Sequence, residues 1–373
     1  MMKLTPEDAI WAADQFIAYF QDIDQIENYF RSVKMDRVNN ITPTLFDEKL
    51  EDAFFSDFSM SPEDMDFQII PVGPGGLDND YFSELLGVVA SHVIEDSIPG
   101  RELKWVVMEK NTGKFVGFIR FGSPTINSKP RNIYLGGAPD LEIFNRHACM
   151  GFIIVPTQPF GFNYLGGKLL ALMCASHFAR EAVSSRFQKE ICWFETTSLY
   201  GTAKGVSQYD GLKPFLRHIG DTVSDFTPLM HDTEFHRMHK YFIVRNNNKK
   251  LTLDTASSKK LKRQNRMVSI IKNSLEDTEK LKTFTQVMDR AKTLTQQKRF
   301  YICDYGYSNV REILSGKETV PVPGPRYDDY NLDNLIAIWK TKATKRYNKL
   351  VSEGRLRTEP EIWTNGADID IIR

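Results

Sequence analysis

The chain is poor in cysteine: four thiols in 373 residues (Cys149, Cys174, Cys192 and Cys303) and no Cys-x-x-Cys pair. A disulfide framework and a structural zinc site are therefore not expected. No run of 18 apolar residues occurs, and the start, MMKLTPEDAI, lacks a basic segment followed by an apolar one, so a cytoplasmic protein with no membrane partner is expected. P-loop and Rossmann fingerprints are missing, as is any Ser/His/Asp order, nucleophilic-cysteine signature or repeat of 20 to 50 residues, which excludes the nucleotide-binding and solenoid classes those patterns mark. Net charge is also lacking, because 48 basic residues balance 48 acidic ones. What remains is apolar material, 41% hydrophobic with 12% aromatic, enough for a packed core and for more than one domain.

The charge balance conceals a division. Residues 1–100 carry 20 acids and 5 bases, the rest 28 acids and 43 bases, and 245–300 alone hold 15 bases against 5 acids. A basic half points to an acidic partner, nucleic acid being the commonest. The other account is that the acidic head docks on the basic tail.

Local signals divide the chain into three: an acidic helical region at 1–100, an α/β core at 101–245 and a basic helical region at 246–373. Thr5-Pro6-Glu7-Asp8 reads as an N-cap, a proline at N1 and two acids in the first turn of a helix. A second helix is expected over 24–33 and a third over 81–94, with 54–80 an irregular connection. Strands follow at 104–109 and 115–121, joined by a turn containing Asn111 and Gly113, and another at 150–155. From Asn163 an apolar helix runs through LLALMCASHFAREAV. The pattern then gives a strand at 191–195, a short helix at 211–219 and a strand at 241–245, YFIVR. The last third is polar and helical. In it the helix at 332–353 turns from an apolar stripe (Leu335, Ile338, Trp339) to a basic face (Lys340, Lys342, Lys345, Arg346). The fold class is thus α/β (α+β), a mixed sheet flanked by helices, with helical extensions at both ends.

The order hairpin, buried strand, glycine turn, buried helix, strand resembles the core of a GNAT-type acyltransferase. Asn163-x-x-Gly166-x-Lys168 resembles that family's Gln/Arg-x-x-Gly-x-Gly/Ala motif, with Asn and Lys as departures. FIIVPTQPFGFNYLGGKLLAL, followed by Phe194-Glu195-Thr196 and Tyr200-Gly201-Thr202, resembles a divergent GNAT-like group. That group includes phage Mom-type DNA-modification proteins and a related Druantia-type defence protein. The resemblance spans roughly 101–245. It implies an acyl-CoA or other acyl donor held near Asn163, Gly166, Gly167 and Lys168, and transfer of a small acyl-derived group to a base amine in DNA. Glycines at such a turn let a diphosphate approach the backbone beside a helix dipole.

Among candidate catalytic residues, Glu195 stands at a strand end, where a carboxylate can take a proton from an attacking amine, or else hold a salt bridge. Tyr200 and Tyr209 suit stacking on a base or donation to a leaving group, and packing equally. Lys259, Lys260, Lys262, Arg263 and Arg266 are the expected phosphate contacts. His231, Asp232, His236 and His239 have metal-ligand chemistry, and on a helix Asp232, His236 and His239 would share a face, but the segment leads directly into the expected strand at 241–245, so no metal is expected. Two other functions stand beside the transferase: a non-catalytic nucleic-acid-binding or defence component on the same fold, and a small-molecule N-acyltransferase.

Overall fold

The computed structural model describes residues 2–23, 26–39, 51–91, 100–198, 205–223, 228–253, 259–293 and 297–370. The chain opens as its caps dictate. Helix α1 (Pro6–Phe20) starts where the Thr5 hydroxyl accepts the Asp8 N–H at 3.2 Å. Helix α2 (Ile26–Asn39) follows. The stretch expected to be irregular contains strand β1 (Phe67–Pro71), which pairs antiparallel with β2 (Glu102–Glu109) from Phe67–Glu109 to Pro71–Trp105. Its partner lies in the next strand, so no local pattern announced it. Helix α3 (Asn79–Val89) separates the two, capped by the Asp78 carboxylate on the Asp80 and Tyr81 N–H groups.

The hairpin of β2 and β3 (Lys114–Gly122) forms as expected, and the buried Glu109 carboxylate accepts the Asn111 and Thr112 N–H groups to close its turn. Helices α4 (Lys129–Leu135) and α5 (Leu141–His147) lead into β4 (Ala148–Pro156). The expected single apolar helix is three. Helix α6 (Phe160–Tyr164) ends at Leu165, whose φ of 55° breaks the run, and α7 (Gly166–Cys174) begins there. Ser176 then caps α8 (His177–Phe187) by accepting the Ala179 N–H. Strand β5 (Trp193–Ser198) comes next.

Two local readings are overturned beyond β5. The short helix expected at 211–219 is replaced by a turn and β6 (Arg217–Val223), and the strand expected at 241–245 is the end of helix α9 (Asp232–Arg245). In α9 the buried residues Phe235, Met238 and Phe242 keep helical spacing while Val244 is exposed, so that period overrides the short β-branched run. Helices α10 (Lys259–Ser274) and α11 (Thr278–Thr293), strand β7 (Gln297–Cys303), and helices α12 (Val310–Leu314) and α13 (Leu332–Ser352) complete the described elements.

The seven described strands form one mixed sheet in the order β1-β2-β3-β4-β5-β7-β6. Every neighbouring pair is antiparallel except β4–β5. The sheet therefore draws on residues 67–303, beyond the expected 101–245 core, because β7 threads between β5 and β6. One face is covered by α7, α8 and α13, with Leu169, Leu170, Leu172, Phe194, Tyr301 and Trp339 in a common core. The other face carries α3 over β2–β4 and α5 with α12 over β5 and β7.

A second core joins α1, α2, α9, α10 and α11 around Phe16, Phe20, Phe235, Met267 and Phe284. Here the acidic head does meet the basic tail: Lys280 pairs with Asp14 at 2.6 Å and Arg245 with Asp8 at 2.8 Å. The apolar faces of these helices bring the two ends of the chain together, and the ion pairs line the rim.

Candidate functional site

The feature that organises the site is a gap between two adjacent strands. β4 and β5 run parallel and pair only from Ala148–Trp193 to Gly151–Thr196. β4 then continues beside β3 to Pro156, and β5 beside β7 to Ser198. The register between β3 and β4 shifts from Arg120–Ile153 to Phe121–Gly151, which leaves Phe152 as the extra residue of a β-bulge. A bulge bends its strand and raises its twist, so β4 veers away at this point. The Thr196 hydroxyl donates to the Gly151 carbonyl at 2.9 Å across the last rung. Gly151 itself has no room for a side chain, since a Cβ would lie 2.9 Å from the Phe194 ring.

Polar groups gather where the strands part. Thr196, Tyr301 and His218 lie in one row across β5, β7 and β6, and Ser198, Arg299 and Asp221 belong to the next. Residues 207–210 fold over them. Asp210 accepts the Tyr301 hydroxyl at 2.7 Å and the Ser207 N–H at 2.9 Å, and pairs with Arg299. Burial works to raise the Asp210 carboxyl, but these three donors outweigh it and hold the group below its ordinary value. Burial pushes the Tyr301 phenol up to about 12. Tyr209 packs edge-on to Tyr301 at 5.3 Å and is itself buried, which raises its phenol against hydrogen bonding from Gln208 and Thr196. His218 approaches Tyr301 at 5.4 Å and bonds Asp221 at 2.9 Å.

The residues expected to hold a donor lie beside this opening and are engaged with protein. Asn163 is buried, donating to the Arg357 carbonyl at 2.7 Å and accepting the Arg357 N–H at 3.1 Å. A Cβ on Gly166 would meet the Phe160 ring at 2.7 Å, and one on Gly167 would meet Gln208 Oε1 at 2.2 Å. Lys168 donates to the carbonyls of Gln208 and Asp210. Burial lowers its amine, with Asp210 opposing and Lys342 adding to the effect. Among the described residues, the first turn of α7 is thus covered by residues 207–210.

Glu195 is likewise enclosed. Its carboxylate is fully buried and accepts from Arg131 at 3.0 and 3.2 Å, from the Trp193 indole at 3.1 Å and from Thr125 at 3.3 Å. Burial pushes the carboxyl up, and the Arg131 charge with these hydrogen bonds pulls it down. Arg131, also fully buried, donates onward to the carbonyls of Thr125 and Ile126. The salt-bridge alternative thus describes the position of this side chain. Tyr200 falls outside the described residues.

On α10, Lys260 pairs with Asp232 at 2.7 Å and Arg263 donates to Thr252 at 3.4 Å, while Lys259 and Lys262 are exposed and Arg266 is half-buried. The histidines do not converge: His231 bonds Ser32 at 3.1 Å, and His236 and His239 pack on Phe235. Among the described residues no group of three or more His, Cys, Asp or Glu side chains is arranged to hold a metal ion. No described helix is long and apolar enough to cross a membrane.

The sequence reading missed Asp210, Arg299, Tyr301 and Arg131. The first three needed β7, whose apolar run Phe300, Tyr301, Ile302 and Cys303 is a strand signal that stands about 100 residues from β5. No local signal singles out Arg131, because its partner is 64 residues away.

A family model described as "Druantia protein DruA" matches residues 22–208, half of the chain. The match includes β1 to β5, the parting of β4 and β5, and Tyr209's neighbour Gln208 at its edge. No curated protein and no solved structure matches. The span and identity of that match place the chain in the Druantia protein DruA family.

Proposed function

We propose that this chain is a DNA-directed component of a Druantia-type defence system, built on a GNAT-like sheet. The observation that carries the reading is the strand order β1-β2-β3-β4-β5-β7-β6 with its single parallel pair, which bulges and parts after Gly151 and Thr196. Nothing in the packing of a sheet demands such an opening, and it matches the resemblance to GNAT-like proteins that act on DNA. The basic surplus of the C-terminal half supports DNA as the partner.

The non-catalytic form of this reading is favoured by the enclosure of the expected machinery. Asn163, Gly167, Lys168 and Glu195 each have protein partners among the described residues. A second reading, transfer of a small acyl-derived group to a base amine in DNA, is supported by the polar cluster at the opening. In that reading Tyr209, Asp210 and Tyr301 are candidates for proton handling beside Glu195. Nucleoside mass spectrometry of DNA from cells expressing the protein separates the two. Unchanged nucleosides are expected of a binding component. A new nucleoside mass that disappears with Asp210→Asn establishes the transferase instead.

A further inference from the structure

Helix α13 has two unlike flanks. One meets the acidic segment near residues 57–66: Lys340 donates to the Glu63 carbonyl at 2.8 Å and the Tyr347 hydroxyl to the carbonyls of Phe58 and Ser59 at 3.2 Å. The buried stripe of Leu335, Trp339, Ala343 and Leu350 anchors the helix to the sheet layer, with the Trp339 indole donating to the Tyr164 carbonyl at 2.9 Å. The remaining flank is basic and exposed. Lys342, Lys345 and Lys349 recur at helical spacing over about 10 Å of axis. Among the described residues Lys342 and Lys345 have no carboxylate partner, and Lys349 lies 3.7 Å from Glu353.

The flank continues into an arginine cluster. The guanidinium groups of Arg346 and Arg357 lie 4.7 and 4.0 Å from the centre of the Phe162 ring on α6, which fixes two planar cations against one aromatic side chain. Burial lowers the Arg346 guanidinium, and the like charges of Arg355 and Arg357 add to the effect while Glu353 opposes it. The carboxylates that face the group are Glu353, paired with Arg355 at 2.8 Å, and Glu361, paired with Arg357 at 2.9 Å. Among the described residues Glu353 and Glu361 are the carboxylates in ion pairs with these six cations. Helix α13 packs against α6 and α7, so the flank runs beside these two helices. α10 differs, since its side of the molecule carries Asp8, Asp14 and Asp232 in ion pairs.

We propose that this flank of α13, formed by Lys342, Lys345, Lys349 and the arginines around Phe162, is a surface that holds the phosphate backbone of duplex DNA. The inference rests on the DNA-directed reading above. It places the main phosphate contacts on α13, where sequence alone pointed to α10. Closely spaced exposed lysines bind phosphate as point charges, and arginines stacked on a ring present their N–H groups in a fixed direction.

The test is fluorescence anisotropy with a labelled duplex oligonucleotide and the full chain, titrated between about 50 and 200 mM salt. Removing three phosphate contacts with Lys342→Gln, Lys345→Gln and Lys349→Gln together should flatten the logarithmic salt slope by about 2.7 and weaken binding on the order of 100-fold near 0.15 M salt. Circular dichroism checks that the variant folds. Lysine acetylation footprinting of the unmodified chain gives an independent readout, with protection of all three lysines expected when duplex is bound. Tight binding by the variant with the original slope, or three lysines equally reactive with and without duplex, overturns the surface while leaving the DNA-directed reading intact. If the unmodified chain binds no duplex, or binds phosphatidylserine vesicles in its place, the DNA-directed reading falls and the surface with it.

Discussion

Replacing Glu195 by Gln exchanges a fully buried carboxylate for a neutral amide of the same size, and its effect can be worked from the contacts. Arg131 loses the counter-charge at 3.0 and 3.2 Å while remaining enclosed, and the new amide N–H groups face a guanidinium and an indole that also donate. Breaking a buried pair by removing one partner costs about 3–5 kcal/mol. One glutamine oxygen still accepts from Arg131 or Trp193, so the lower end, about 3 kcal/mol, is expected. With a urea slope at or above the roughly 3 kcal/mol per molar that small proteins reach, the unfolding midpoint should fall by up to about 1 M at an unchanged slope. Arg131→Met should be similarly costly. Arg131→Met with Glu195→Leu should recover most of the loss, since an apolar pair of similar volume leaves no orphaned charge. Urea denaturation followed by intrinsic fluorescence reads all three. A wild-type midpoint for Glu195→Gln would refute this account.

Two further outcomes follow from the charge layout. Replacing Lys259, Lys260, Lys262 and Arg263 with Ala should flatten the salt slope for duplex binding by less than about 2, well short of the roughly 3.6 that four phosphate contacts would give. Lys260 and Arg263 already serve Asp232 and Thr252, and a loss near the full value would mean that these bonds yield to phosphate. Acidification should release α1 from α9. The Arg245 hydrogen bond, helped by Tyr241, holds the Asp8 carboxyl below its ordinary value near 4. A carboxyl depressed by folding contributes fully at neutral pH and loses its contribution as pH falls through that range. The protection of residues 6–20 relative to intrinsic exchange should therefore fall below about pH 4, and Asp8→Asn should show the lower protection already at pH 7. Identical protection in the two proteins at neutral pH would remove Asp8 from this role.

The amino-acid sequence determined what depends on neighbours along the chain. The Thr5-Pro6 start of α1, the β2–β3 hairpin, the apolar run of β4 and the two-faced α13 were all legible, because caps, turn residues and hydrophobic spacing act within a few positions. The charge division was legible too, but not whether it served a partner or the chain itself. Only tertiary structure decided what depends on distant partners. The helical end of α9 won over a strand because Phe235, Met238 and Phe242 had a core to enter. β6 became a strand because β7, about 80 residues later, lay alongside it. That same insertion of β7 brought Tyr301 and Arg299 to Asp210, and folding enclosed Glu195 with an Arg131 that no spacing rule could connect to it. A side chain's type is local information. Whether a carboxylate faces a cleft or a guanidinium is settled by contacts across tens of residues, and burial then fixes which of its chemistries survives.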